Sequence, residues 1–392
     1  MQQDHAIPRS REAAPHRLPA RLSRFALTVT LLSICLHAYI GLRLLPALPI
    51  AMPGQVIGAG LIALSALLVP LGMFARFLFR RPDTADLLTW AGSLAMGLFS
   101  SVLVLTFLRD IALLFVDTPR FAADSAVLAP SLALVITIIG FVNARRLPRV
   151  VDVDIPLAGL APKLGGFTIV QISDIHVGAT IKGDYVRAVV DRVNGLNADL
   201  VAITGDIVDG SIDRLGPHVA SLAQLVSRHG TYVVTGNHEY YSGAAEWVAE
   251  FERLGMHALM NRHCVIEHDG ASVVVAGVTD FSAHFFDPDQ RSDPQRALAG
   301  GPDGVPKILL AHQPRSADAA AAAGFDLQLS GHTHGGQFWP WNHLVRLQQP
   351  YIAGLHRLNR LWVYTSRGTG YWGPPKRFGA PAEITRLRLV PA

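Results

Sequence analysis

Four long apolar stretches lie within the first 145 residues, at about residues 25–45, 55–79, 87–108 and 126–142. A bilayer's hydrocarbon core of roughly 30 Å is crossed by about 20 helical residues, a length the first three reach. The fourth, "APSLALVITIIGFV", is shorter but uncharged, and it is bounded by Asp124 and by "ARR". As soluble helices, four such runs would have almost no polar face to turn to water. The sequence therefore predicts a four-helix transmembrane region over 25–145, preceded by a basic tail over 1–24. A cleavable signal peptide at the first run would still leave three further spans.

Charge divides the chain at the same place. Residues 1–150 carry 14 arginines and no lysine against 7 acidic residues, whereas residues 151–392 carry 20 basic against 23 acidic. The arginines stand between apolar runs and not along one polar face, so no nucleic-acid binding is expected. They alternate from loop to loop: Arg9, Arg11, Arg17, Arg21 and Arg24, then Arg43, then Arg76, Arg80 and Arg81, then Arg109 and Arg120, then Arg145, Arg146 and Arg149. The positive-inside rule then predicts a multi-pass protein of the cell membrane, with both termini and the whole second half on the cytoplasmic side. Losing the fourth span would reverse that orientation. Pro46, Pro49, Pro70 and Pro130 are expected to bend or end helices. His37, alone in the first span, reads as packed or hydrogen-bonded, and no relay of ionisable groups marks a transport path. Cys35 and Cys264 make neither a disulfide framework nor a metal knuckle.

A linker is expected over 146–165, followed by a second domain over 166–392. There, short β-branched runs end in polar clusters: "FTIVQISDIH", "DLVAITGDIVD", "TYVVTGNHEY", "SVVVAGVTD", "KILLAHQP" and "FDLQLSGHTH". Such runs read as strands buried on both faces, which need helices to cover them. "DYVRAVVDRVNGL", "HVASLAQLVSRHG", "AAEWVAEFERLG" and "RSADAAAAAG" are the helical candidates, giving an α/β layered domain. Reactive groups of such sheets gather beyond the carboxyl ends of strands. Asp174 and His176, Asp206 and Asp209, Asn237 and His238, His312, and His332 with His334 all fall at that address. If the backbone is extended there, residues i and i+2 share a side, so Asp174 with His176 and His332 with His334 could each face one cavity. Gly205, Gly236, Gly331, Gly335 and Gly336 would let backbones pass close to a crowded ion site. Each block alone is a weak signal; their succession on consecutive strands is a strong one for metal binding.

In that order, "SDIH", "GDIVD", "GNHE", "AHQP" and "GHTHGGQ" resemble the signature blocks of the calcineurin-like metallophosphoesterase superfamily, over about residues 167–390. "GHTHGGQ" and the closing "SRGTGYWGPPKRFGAPAEIT" resemble its membrane-associated branch, although "APAEIT" departs from that branch's usual Pro-Pro-Glu. The resemblance implies a β-sandwich of two mixed sheets flanked by helices. It implies that Asp174, His176 and His334 bind one divalent metal, that Asn237, His312 and His332 bind a second, and that Asp206 bridges them. Mn, Fe, Zn and Co all suit such ligands. The implied chemistry is hydrolysis of a phosphodiester or pyrophosphate by a metal-bound hydroxide, with His238 facing the substrate as the catalytic residue. Asp209, and also Glu239 and Gln337, would orient ligands from behind. Arg367 and Arg377 read as surface charge, with a substrate phosphate as the alternative partner. His218, His229, His257, His263, His268, His284, His343 and His356 match no block and read as structural or solvated.

The leading expectation is a membrane-anchored, dinuclear phosphoesterase acting on a lipid-linked substrate such as UDP-2,3-diacylglucosamine. Alternatives are a soluble nucleotide or phosphoprotein as substrate, or a non-catalytic membrane binding or scaffolding protein. Phe338, Trp339 and Trp341 read first as packing, and second as an apolar rim between metals and bilayer.

Overall fold

The computed structural model describes residues 20–116 and 118–392; Arg9, Arg11 and Arg17 of the expected basic tail lie outside the described residues. Four helices come first: α1 (Ala20–Leu44), α2 (Met52–Leu78), α3 (Pro82–Leu113) and α4 (Pro119–Arg145). Each of the last three begins with proline in its first turn, where the missing N–H costs no hydrogen bond. Thr118 also caps α4 by accepting from the Phe121 N–H. Pro70 and Pro130 sit inside α2 and α4 and do not end them. All four helices are long and apolar enough to cross a membrane, and leucines such as Leu61, Leu64 and Leu67 point outward with no protein cover. His37 is packed and bonded as expected: its ring meets the Ser33 carbonyl and the Ser65 hydroxyl and stacks on Phe99.

The second half is two mixed sheets packed face to face. The first runs in the spatial order β1 (Arg149–Leu157), β12 (Glu383–Pro391), β2 (Thr168–Ile172), β3 (Leu200–Thr204), β4 (Thr231–Val234) and β5 (His257–Ala258). The second runs β10 (Gly354–Leu358), β11 (Leu361–Thr365), β9 (Leu327–Ser330), β8 (Lys307–Leu310), β7 (Ala271–Gly277) and β6 (Arg262–His268). The strands from β2 to β5 are mutually parallel, as are β7, β8, β9 and β11. Their carboxyl ends therefore collect on one side of each sheet.

Alternation explains the layers. In β3, Leu200 and Ala202 enter the core between the sheets, while Val201 and Ile203 point the other way, toward helices. α5 (Gly183–Asn194), α6 (Ile212–Val219), α7 (Asn237–Ser242) and α8 (Ala244–Arg253) follow the strands of the first sheet, and α9 (Pro294–Leu298), α10 (Ala317–Ala323) and α11 (Trp341–Leu344) those of the second. Val189, Val190, Trp247 and Phe251 cover the first sheet's outer face; Ala320 and Phe325 cover that of the second. The helix expected over "HVASLAQLVSRHG" starts earlier, as α6, and continues only as a 3-10 turn to Gln224. Beyond it the Arg228 and His229 N–H groups are bound by the Ala198 and Asp199 carbonyls, so they are not free to continue a helix.

The stretch expected to be a linker, 146–165, contains a strand of nine residues. β1 pairs in parallel with β12 from Arg149 to Leu157, placing Ile155 and Leu157 in the core between the sheets. Its mixed "VVDVDIPL" pattern suits an edge strand with one wet face, which is why it did not stand out as an apolar run. Ile155→Ala should therefore destabilise the domain by about 2–4 kcal/mol, as for other buried aliphatic truncations. Thermal and denaturant unfolding of the purified protein would measure this. A loss below about 0.5 kcal/mol would mean that β1 is dispensable.

Candidate metal centre

Every candidate ligand stands just past a strand. Asp174 and His176 follow β2, Asp206 follows β3, and Asn237 opens α7 after β4. His312 follows β8, and His332 and His334 follow β9. The structure brings these together where the two sheets meet. Asp174, His176 and His334 form one group of converging donor atoms, Asp206, His312 and His332 another, and Asp206 also lies beside His176 and His238. His176 Nε2 is 3.0 Å from His334 Nε2, and His312 Nε2 is 3.2 Å from His332 Nδ1. Two nitrogens each about 2.0–2.1 Å from a shared ion would stand at about that separation.

The groups behind the ligands orient them. Asp209 Oδ1 accepts from His176 Nδ1 at 2.9 Å and from His238 Nδ1 at 2.7 Å, and the Thr204 carbonyl accepts from His312 Nδ1 at 2.7 Å. For His176 and His312 this leaves Nε2 facing the other candidate ligands, the usual arrangement for metal-binding histidine. Glu239 is fully buried and accepts from the N–H groups of Asp206, Ile207 and Gly236, tying together the loops that carry Asp206 and Asn237. Asn237 Oδ1 is buried with no donor among the described residues, a carbonyl oxygen in need of a cation or proton. These donors fit a pair of divalent ions.

The pair geometry differs from the expectation of extended backbone. Asp174, His176, Asp206, His332 and His334 all have φ between 51° and 70°, in the left-handed region. They converge because tight loops turn each side chain inward, not because alternate residues of a strand share a face. Such conformations are costly for non-glycine residues and persist where surrounding contacts impose them. The expected close approaches are present. A Cβ at Gly331 would collide with Ser173 Oγ and Asp174 Oδ2, and one at Gly236 with the Asp206 carboxylate.

Charge follows from this crowding. Burial pushes the Asp174 carboxyl up, despite nearby His312. Burial would also raise Asp206, but His312 and His238 outweigh it and hold Asp206 well below the usual carboxylate range. Burial, reinforced by the His312 charge, takes His332 down to about 3, and burial with the Arg377 cation holds His334 well below its ordinary value. Both rings are thus neutral, the form that binds metal. For His238, burial is outweighed by Asp206 and Asp209, which raise it to about 9.

A family model for calcineurin-like phosphoesterases matches residues 167–336. An uncharacterized metallophosphoesterase of Aquifex aeolicus is 31% identical over 230 residues, which cover 58% of this chain and 87% of that protein. The chain belongs to the calcineurin-like metallophosphoesterases. A Danio rerio transmembrane protein with metallophosphoesterase domain is 39% identical over 274 residues, covering 68% of this chain, and the match spans 63% of that relative's length. Among solved structures, Haemophilus influenzae NAD nucleotidase aligns with a TM-score of 0.38 and 19% identity, over 52% of this chain and 50% of that one. With its four apolar helices, this metallophosphoesterase is a membrane protein.

Several residues around the centre escaped the sequence reading. Arg377, read as surface charge, is 1% exposed, and it donates to the His334 carbonyl at 2.8 Å while its Nη2 lies 3.0 Å from His334 Nδ1. Arg367 instead pairs with buried Glu383 at 2.8 Å. The Gln337 side chain bonds no candidate ligand among the described residues; its amide bonds the Trp372 and Pro374 carbonyls and the Trp372 N–H, holding the closing segment. Tyr241 and Trp372 flank His238, with ring centroids 5.2 Å and 5.8 Å away. Nothing in "GYWGPPKRFG" except its density of glycine and proline hinted at such close packing. Outside the centre, His229 and His268 bond each other, as structural histidines would.

Gly331→Ala should lower both thermal stability and metal retention, because Ser173 and Asp174 must move. Gly216→Ala, where the nearest atom stands 3.7 Å away, should change neither. Metal content after dialysis and melting curves compare the two; equal behaviour would contradict the close packing at Gly331.

Proposed function

We propose that this chain is a membrane-anchored phosphoesterase in which Asp174, His176 and His334 hold one divalent ion, Asn237, His312 and His332 hold another, and Asp206 bridges them. The observation that carries this reading is Asp206, whose Oδ2 lies 3.8 Å from His176 Nε2 on one side and 3.2 Å from His312 Nε2 on the other. When bound, two ions supply Lewis-acid polarisation of phosphoryl oxygens and lower the pKa of a coordinated water. Carboxylate, imidazole and amide oxygen together suit Mn, Fe, Zn or Co.

The protein's own groups do the rest. His238 is oriented by Asp209 at Nδ1 and lies beside His176 and Asp206, where its imidazolium can protonate the leaving oxygen. That donor is present below the folded-state value of about 9 and is lost as pH rises through it. Divalent ions beside the ring disfavour its positive charge and move this limb downward. Asp206→Ala should lose both ions and turnover. His238→Ala should keep both ions, lose about 10²–10⁴-fold in turnover, and lack a basic limb at or below pH 9. Metal analysis and hydrolysis of a bis-aryl phosphodiester by the purified protein provide the readouts. Full turnover in Asp206→Ala would sink the two-ion reading.

For the substrate we favour a phosphodiester or pyrophosphate carried on a lipid, such as UDP-2,3-diacylglucosamine. Support comes from the aromatic surroundings of His238. Tyr241 packs on Phe286 with centroids 5.5 Å apart, and Trp372 closes the other side. Trp341 bonds Ser100 of α3 through its indole N–H at 2.9 Å, and Leu344 and Leu347 are exposed in the same segment. Phe338, by contrast, is buried beneath Lys376 and is packing. Exposed apolar side chains in a segment bonded to α3 suit acyl chains that remain in the bilayer while the headgroup reaches the centre. The arginine-bearing ends of α2 and α4 touch the domain, Arg76 at the Asp209 carbonyl and Arg145 at that of Thr180. We therefore read the protein as multi-pass, with the domain from β1 onward on the cytoplasmic side, as the positive-inside rule favours. Replacing Leu344 and Leu347 together by glutamate should reduce turnover of UDP-2,3-diacylglucosamine in vesicles about tenfold or more, while a soluble bis-aryl diester changes less than about twofold. Equal effects on both would argue for a soluble substrate.

A further inference from the structure

The closing segment places two bases side by side and sends them in opposite directions. Lys376 is 1% exposed and reaches in between α3 and α4. Its ammonium donates to the Gly97 carbonyl at 2.7 Å and the Ser101 hydroxyl at 2.6 Å on α3, and to the Thr137 hydroxyl at 2.9 Å on α4. All three protons are used, and among the described residues no carboxylate pairs with it. The next residue continues the grip: the Arg377 N–H donates to the Gly140 carbonyl of α4 at 2.8 Å, and Asn143 donates to the Arg377 carbonyl. The Arg377 guanidinium then points back to the centre, holding the carbonyls of His334, Arg367 and Gly370 and lying against the His334 ring.

A plain anchor requires none of this; apolar helices and a tether would suffice. An ammonium buried without a carboxylate is tolerated only while its acceptors stay in place. Here those acceptors come from two helices, so the position of Lys376 reports how α3 and α4 are packed. One peptide bond separates that contact from the guanidinium that fixes the His334 backbone. There is no slack in the join, because a Cβ at Gly140 would come within 2.7 Å of Lys376 Cγ.

We propose that α3 and α4 are part of the metal centre's scaffold, with Lys376 and Arg377 as positioning residues that carry helix packing onto His334. Occupancy of the Asp174, His176 and His334 site then depends on the helical bundle, whereas the Asn237, His312 and His332 site does not. This inference rests on the two-ion reading above.

The test uses the full chain in lipid nanodiscs, stripped of metal and titrated with Mn²⁺, with bound ions followed by electron paramagnetic resonance and elemental analysis. Gly140→Ala alters only α4, and Lys376→Met keeps the stem of the side chain while removing its donors. Each should bind one Mn²⁺ as the unaltered protein does and the other about 10–100-fold more weakly, the usual effect of losing a group that orients a ligand. Thr137→Val, which removes one acceptor at constant shape, should give a smaller shift in the same direction and serves if the first two fail to fold. Lys376→Arg should restore part of the lost affinity. Unchanged binding of both ions in folded Gly140→Ala and Lys376→Met, or equal weakening of both sites, would overturn the coupling. If the unaltered protein binds fewer than two ions, the two-ion reading itself fails.

Discussion

Asp206 keeps its negative charge at a place where burial alone would neutralise it. The structure concentrates His312, His238 and His176 around it and aims the His238 N–H at its Oδ1 from 2.8 Å. A buried charge is tolerable only with such partners, so the loops after β2, β3, β4, β8 and β9 must arrive together. The two-sheet sandwich satisfies that demand. Parallel strands bring their carboxyl ends to one side of each sheet, and the face-to-face packing of the sheets lets the two sets of loops meet.

The cost of that meeting appears in the backbone. Five of the seven candidate ligands occupy the left-handed region, and Gly236 and Gly331 stand where a Cβ would strike a carboxylate. Strain of this kind is held by surrounding bonds, and here Glu239 and Arg377 provide them. Glu239 binds the four backbone N–H groups of Asp206, Ile207, Val208 and Gly236 across two loops, and Arg377 holds the His334 carbonyl. Each is a buried ionisable residue whose bonds place backbone. Arg377 does this from a segment that also grips α3 and α4, so the membrane half and the phosphoesterase half share one polar network.

Much of this was legible in the sequence, for definite reasons. The four helices were visible because a bilayer demands length and apolarity together, a pattern that few soluble segments imitate. The donor residues were visible because strand ends are marked by glycine and aspartate after β-branched runs. β1 was missed because an edge strand with Asp152 and Asp154 on its wet face lacks an apolar run. Arg377 was misread because an arginine in a glycine- and proline-rich segment has no local signature of burial. The reasoning that paired residues i and i+2 on extended backbone reached the right residues through the wrong geometry.

By itself the sequence determined the two unlike halves of the chain, the strands of the second half, and which side chains could converge as ligands. These are local matters of hydropathy, β-branching and residue type, and they are written position by position. Only the tertiary structure decided that Trp341 touches α3 and that Lys376 lies between α3 and α4. Those depend on contacts between residues more than 200 positions apart in the chain, whose partners are chosen by packing and by the need to satisfy every buried charge.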